Sequence, residues 1–322
     1  MMGSHRHLLE AAQTTFNDLV VRAFDDPPVY RKTRHWVKFD ANREHVVVRF
    51  DSDDAPPVIL KQAFRPDDEA EFSGILKNLR AAAGAVKGAN GLDVPRILAV
   101  DVARRAYLMT YLPGETLLDL CRTGDDHAPL LRQAGRWLAA YHAGTFQQER
   151  AFQPKFMARH MLHLVNQMDR GERKIRGQKR FKALAHQVQD WVAPCSGGIS
   201  KVAAKHGDLN AHNILISNGS VGAYDFLPHS HAPVGYDIAR LLLSYTQMQG
   251  DIGSIPKGHV MPPVLLDAFF EGYGFVPPDD PGVSFLMRIQ ILTDWNRFNH
   301  NLSVAATLRF QRLRAIANRA FD

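Results

Sequence analysis

Cysteine is nearly absent from this chain. Of 322 residues only Cys121 and Cys195 carry thiols, and they lie far apart. Two cysteines build neither a disulfide framework nor a four-cysteine zinc site, so a reducing, cytoplasmic setting is the expectation. Long apolar runs are missing as well. No stretch approaches the ~20 residues of a membrane-crossing helix, so no membrane span is expected. The first residues also lack the basic, apolar, small-residue order of a secretion signal. There is no internal repeat, low-complexity tract or heptad run. Basic stretches lack the interleaved aromatics or binding motif of a nucleic-acid module, so no nucleic-acid partner is expected. What remains is an ordinary globular composition, 45% apolar and 22% charged, in a chain long enough for two lobes with a real core.

The charge that is present is uneven. The formal net charge is +6, and basic residues dominate from Lys155 to Lys205, with Arg170 to Lys182 reading RGERKIRGQKRFK. Such a run is either a solvated helix face or a patch that attracts an anion, for instance an acidic or phosphorylated acceptor.

Periodicity divides the chain into two parts. Leu9, Ala12, Phe16, Leu19, Val20 and Phe24 fall at helical spacing, and Asp25-Asp26-Pro27-Pro28 stops that helix. Three strand-like runs follow, Tyr30 to Phe39, His45 to Phe50 and Val58 to Phe64, joined by polar turns at 40–44 and 51–55 as in an antiparallel meander. Lys61 stands among apolar neighbours in the third run, a costly place for an ammonium without a partner. A helix is predicted over Asp67 to Ala82, then a strand pair from Val94 to Val100 and Ala106 to Tyr111, and a break at Leu112-Pro113-Gly114. Beyond Gly114 the pattern reads mostly helical until residue 206, and helical again after Gly235.

The chemistry concentrates in His206-Gly207-Asp208-Leu209-Asn210-Ala211-His212-Asn213, with Tyr224-Asp225-Phe226 behind it. Two short strands flanking a turn bring Asn213 and Asp225 to one edge. Two hard oxygen donors there suit Mg²⁺, which takes few protein ligands and completes its shell with water and phosphate oxygens. Asp208, on the loop just before, then faces the gap beside the metal, a geometry suited to phosphoryl transfer. The plain alternative is that Asp208 and Asn213 are turn residues and Asp225 a strand cap.

The spacing H-G-D-x-x-x-x-N followed by x-D-F resembles the catalytic core of the aminoglycoside phosphotransferase and choline kinase family, which has a protein-kinase-like fold. The resemblance implies an α+β bilobal architecture. Residues 1–112 would form a nucleotide-binding lobe of an N-terminal helix, a five-stranded antiparallel sheet and one helix; residues 113–322 would form a mostly helical lobe with the catalytic loop and acceptor site. It implies ATP and Mg²⁺, with Asp208 as the catalytic residue and Asn213 and Asp225 as metal ligands. Lys61 would hold the nucleotide phosphates and pair with a glutamate of the next helix, Glu71 in preference to Glu69. Asn42, in the turn after the first strand, is a further nucleotide-binding candidate. Met109 to Leu117 resembles the hinge, where the Thr110 carbonyl and the Leu112 amide meet the adenine edge and Met109 backs the slot. His206 and Asp237, the latter within Gly235 to Leu242, would support the catalytic loop. Leu227 stands where relatives often have glycine. The loop wording D-L-N-A-H-N-I-L also resembles kinases of acidic lipopolysaccharide sugars.

The activity expected is transfer of the γ-phosphoryl group of ATP to a hydroxyl of a small molecule, a sugar, amino alcohol or related metabolite, with an anionic acceptor fitting the charge. Two other readings stay open. One is a catalytically silent nucleotide-binding module. The other is a metallohydrolase built on His206, His212, His229 and His231.

Overall fold

Alternation along the first strands decides how the upper part of the molecule is layered. In the computed structural model, which describes residues 5–40 and 42–322, α1 (Arg6–Ala23) is followed by β1 (Arg31–Phe39), β2 (Glu44–Asp51), β3 (Val58–Arg65), α2 (Glu69–Ala85), β4 (Leu92–Asp93), β5 (Ile97–Asp101) and β6 (Ala106–Thr110). Ala41, in the turn expected at 40–44, lies outside the described residues. β1, β2, β3, β6 and β5 form one antiparallel sheet in that order. Successive side chains point to opposite faces of a strand, and the two faces here meet different partners. Val46, Val48, Phe50, Val58, Leu60, Ala106 and Leu108 join Leu8, Ala12, Phe16 and Leu19 of α1 in a separate small core. Phe16 stacks on Phe50 at 3.5 Å between ring centroids. The intervening residues His45, Val47, Arg49, Ile59, Lys61, Tyr107 and Met109 face the opposite way and line a cleft.

α2 starts where Asp68 accepts a hydrogen bond from the Glu71 amide at 2.8 Å, an N-cap. Its apolar residues Phe72, Leu76, Leu79 and Ala82 belong to the large core, which takes in most of the lower lobe and also Ile59, Tyr107 and Met109 of the sheet. Asn78, fully buried on the same helix, donates at 2.9 Å to the carbonyls of both Lys205 and Leu227 and accepts from the Tyr141 hydroxyl at 2.8 Å. α2 is thereby fastened to the segments on either side of the central motif.

The lower part comprises β7 (Glu115–Thr116), α3 (Leu117–Thr123), α4 (Ala128–Gly144), β8 (Phe146–Ala151), α5 (Lys155–Asp169), α6 (Gln178–Gln187), α7 (Val192–Cys195), β9 (Ile199–Ala204), β10 (Ile214–Ser217), β11 (Ser220–Ala223), β12 (His231–Pro233), α8 (Gly235–Met248), α9 (Pro263–Tyr273), α10 (Pro281–Trp295) and α11 (Val304–Phe321). Among the described residues no helix is long and apolar enough to cross a membrane. The 114–205 region is mostly helical, as expected, and also carries strands that were not expected: β8 and β9 pair with each other and β9 with β12. β8 is solvent-exposed throughout and mixes polar with apolar residues, so no alternation marked it as a strand.

Candidate active site

β10 and β11 form the hairpin the central motif requires, with Ile214 opposite Ala223. The ladder continues one step outward, where the Tyr224 amide donates to the Asn213 carbonyl at 3.1 Å. This places Asn213 and Asp225 at the same end of the hairpin. Asn213 donates its Nδ2 to the Asp208 carbonyl at 2.8 Å, which leaves its Oδ1 without a protein donor among the described residues. Asp225 adopts a left-handed backbone with φ 65°, a conformation that short polar side chains tolerate better than most.

The loop carrying Asp208 is held from several sides. The buried carboxylate of Asp237 accepts from the amides of His206 at 2.7 Å and Gly207 at 3.1 Å, and from His142 Nε2 at 3.4 Å. Burial pushes the Asp237 carboxyl up, but these hydrogen bonds and the nearby His142 and His206 outweigh it, and the pKa lies below the usual carboxylate value. His206 Nε2 donates to the Tyr224 carbonyl at 3.1 Å, and the ring stacks on Phe226 at 4.2 Å. Its Nδ1 is buried without a partner, and burial holds the imidazole pKa below its ordinary value. Leu118 and Ser244 anchor the far end of the loop through Ala211. Gly207 has φ 90°, and a Cβ there would meet the Leu227 side chain at 2.8 Å. The leucine that departs from the usual glycine is therefore accommodated by a glycine opposite it.

Lys61 reaches down from β3 and forms an ion pair with Asp225. Burial opposes charge on both groups. The neighbouring Tyr107 and Asp225 nevertheless hold the ammonium pKa above its usual value, and Lys61 chiefly holds the Asp225 carboxyl below its own. The expected pairing of Lys61 with Glu71 is not present. Glu71 caps nothing with its carboxylate and makes no ion pair among the described residues, because α2 is pinned to the lower lobe by Asn78 while Lys61 lies across the cleft beside Asp225. Glu69 is likewise without an ion pair to Lys61.

The cleft between the sheet and the hairpin has a volume of about 590 Å³ and includes Lys61, Met109, Thr110, Leu112, Tyr224 and Asp225 in its lining. At its hinge end the Thr110 amide and hydroxyl are both engaged by Arg96, at 2.9 Å each. The Leu112 amide has no protein acceptor among the described residues. Gly114 follows with φ 132°, and a Cβ there would lie 2.7 Å from the Ile216 carbonyl oxygen. Asn42 is not part of this lining; its amide donates to Asp40 Oδ1 at 2.9 Å within the turn. The sequence reading missed Trp36, an exposed tryptophan on β1, and Arg49, whose guanidinium lies 4.1 Å from the Tyr111 ring centroid; all three line the cleft. A tryptophan exposed on a strand was the available signal.

The histidine cluster does not assemble. His229 and His231 are neighbours, with ring centroids 4.8 Å apart, but His206 is packed under Phe226. Among the described residues no three His, Cys, Asp or Glu side chains group as ligands for a metal ion. The donor set that fits a divalent cation is instead Asp225, which already binds one cation in Lys61, and Asn213 with its free Oδ1; two hard oxygens suit Mg²⁺ or Ca²⁺. The basic 155–205 segment contributes no residue to the cleft. Three of its charges form ion pairs, Arg170 with Glu172, Lys182 with Asp169 and Arg180 with Asp322.

Solved structures with the same fold include a glucosamine kinase, 17% identical, TM-score 0.58, covering 95% of this chain and 83% of that one. An amicoumacin kinase in complex with AMP-PNP, Ca²⁺ and Ami is 12% identical, TM-score 0.56, with 97% and 96% covered. A choline/ethanolamine kinase family protein from Mesorhizobium loti is 17% identical, TM-score 0.52, with 85% and 87% covered. Among curated protein sequences none matches. A sequence profile of the phosphotransferase enzyme family matches residues 35–286, most of the chain and all of the site described above, and the chain belongs to that family.

Proposed function

We propose that this protein is an ATP-dependent phosphotransferase that moves the γ-phosphoryl group to a hydroxyl of a small molecule. One observation carries the reading. A ligand-sized cleft has an unpartnered Leu112 amide at one end and the Lys61–Asp225 pair at the other, and Asn213 joins the second end to the loop bearing Asp208. In this reading Met109, Thr110 and Leu112 receive the adenine. Lys61 exchanges the Asp225 carboxylate for the nucleotide phosphates. Asn213 and Asp225 hold the divalent cation, which supplies charge neutralisation at the transferring phosphate. Asp208 orients the acceptor hydroxyl and takes its proton, help typically worth ~10²–10⁴ in rate. Family membership and a relative solved with AMP-PNP and Ca²⁺ support nucleotide and divalent-cation use.

The test is an ATP-consumption screen with Mg²⁺ over amino alcohols, neutral sugars and acidic sugars, run beside Asp208→Asn. We expect turnover with at least one acceptor, and its loss in Asp208→Asn while nucleotide still raises the melting temperature. Transfer at near-normal rate by Asp208→Asn contradicts the assignment. A nucleotide-dependent melting shift without transfer to any acceptor favours the silent binding module.

A further inference from the structure

The carboxylate of Asp208 is held, and the residue that holds it lies outside the central motif. Arg240 of α8 donates to Asp208 Oδ1 twice, from Nη2 at 2.9 Å and from Nε at 3.3 Å. Its remaining terminal nitrogen, Nη1, donates to Asp294 Oδ1 on α10 at 3.0 Å. Gln290, one turn earlier on α10, donates to the same Asp294 oxygen at 3.0 Å, and Arg297 approaches it at 3.4 Å. The Arg240 side chain is 20% exposed and that of Asp294 10%, whereas Asp208 is 35% exposed. The guanidinium is thus a largely shielded bridge whose outer end is an open carboxylate.

We infer that Arg240 is the positioning residue of Asp208, and that Asp294 fixes the guanidinium in that task. The inference rests on the phosphotransfer reading of Asp208 and adds residues that reading does not contain. A carboxylate free to turn presents either oxygen to an acceptor. Here both donors of a planar, rigid guanidinium fall on Oδ1, and Oδ2 has no protein donor among the described residues. Oδ2 is the atom left for the acceptor hydroxyl. Asp294 compensates the guanidinium charge and, with Gln290, holds its far end in place. Arg240 lies three residues after Asp237, and residues three apart share one face of a helix. One turn of α8 therefore supplies both supports of the catalytic loop: Asp237 takes the amides of His206 and Gly207, and Arg240 takes the carboxylate of Asp208. Catalysis is sensitive to such placement, and a misplacement of about 1 Å can cost ~10²-fold.

The test uses the full chain and steady-state ATP consumption with Mg²⁺, with the acceptor found in the screen or with water as acceptor. Arg240→Ala is expected to lower kcat about 10²-fold and to leave KM for ATP within about twofold, since Arg240 does not line the nucleotide cleft. Millimolar guanidinium should restore part of the Arg240→Ala rate, which no purely structural role predicts. Asp294→Asn should fall between wild type and Arg240→Ala. Adding Arg240→Ala to Asp208→Asn should cost nothing further, because the clamp acts only through that carboxylate. Near-wild-type kcat in Arg240→Ala, or losses that multiply in the double variant, overturns the inference. Should Arg240→Ala not fold, Arg240→Lys and Asp294→Asn decide in its place, with unchanged kcat in both counting against it. If Asp208→Asn itself keeps wild-type turnover, the phosphotransfer reading fails, and that outcome is distinct from failure of the clamp.

Discussion

Asp237→Ala is the sharpest test of how the catalytic loop is held. The wild-type carboxylate satisfies the buried amide of His206 and the half-buried amide of Gly207, and accepts from His142. Its removal leaves the His206 amide without a partner and closed to water. Orphaning a buried donor costs ~1–3 kcal/mol and an ordinary hydrogen bond contributes about 1 kcal/mol, so the two together put the loss at roughly 2–4 kcal/mol. Replacing a buried carboxylate also recovers its own burial cost, which makes the lower half of that range the working figure. At about 2–4 °C per kcal/mol for large domains, Tm should fall by at least about 4 °C. Urea titration gives the same quantity from the shift of the midpoint at unchanged slope. Asp237→Asn keeps one acceptor oxygen and should lose less. The pH dependence is a second readout. The folded pKa of Asp237 lies below its unfolded value of about 3.9. Its contribution is therefore complete above about pH 4 and disappears as pH falls through the lower folded pKa. Asp237→Asn should remove that part of the acid sensitivity. A loss under about 0.5 kcal/mol in Asp237→Ala, the range of ordinary surface substitutions, would refute the account of this carboxylate as the brace of the loop.

Two further outcomes are expected. Gly114→Ala forces a side chain into a left-handed region and against the Ile216 carbonyl, so it should destabilise by about 1–3 kcal/mol and weaken nucleotide binding at the hinge, read by urea titration and by a nucleotide-dependent melting shift. His206 is buried neutral with its pKa held down. Its contribution is present above the unfolded value of about 6.5 and lost as pH falls below it toward the lower folded value, so stability should drop as pH falls below about 6.5, and His206→Gln should flatten that slope.

The sequence was most legible where function depends on local spacing. Asp208, Asn213 and Asp225 are tied by a loop and one tight hairpin, so few backbone arrangements are open to them. The first three strands were likewise legible, as short runs set off by polar turns. Partners set by packing between elements were not legible. Lys61 meets Asp225 rather than Glu71, a choice made by how α2 packs on the lower lobe, and Asn78, the residue that fixes it, looks like any polar helix residue in sequence. Arg240 was hidden for the same reason, since its two partners come from elements 32 and 54 residues away. β8 was missed because an exposed strand has no need of apolar alternation.

The attachment of α2 has a mechanical consequence. That helix follows β3 in the chain and holds both parts of the molecule: Phe72 meets Tyr107 of the sheet, ring centroids 6.1 Å apart, while Asn78 bonds Lys205, Leu227 and Tyr141 below. A rigid-body separation of the sheet from the lower lobe would have to part Phe72 from Tyr107 or draw Asn78 away from its three partners. The helix is therefore the strut across which any such motion would load.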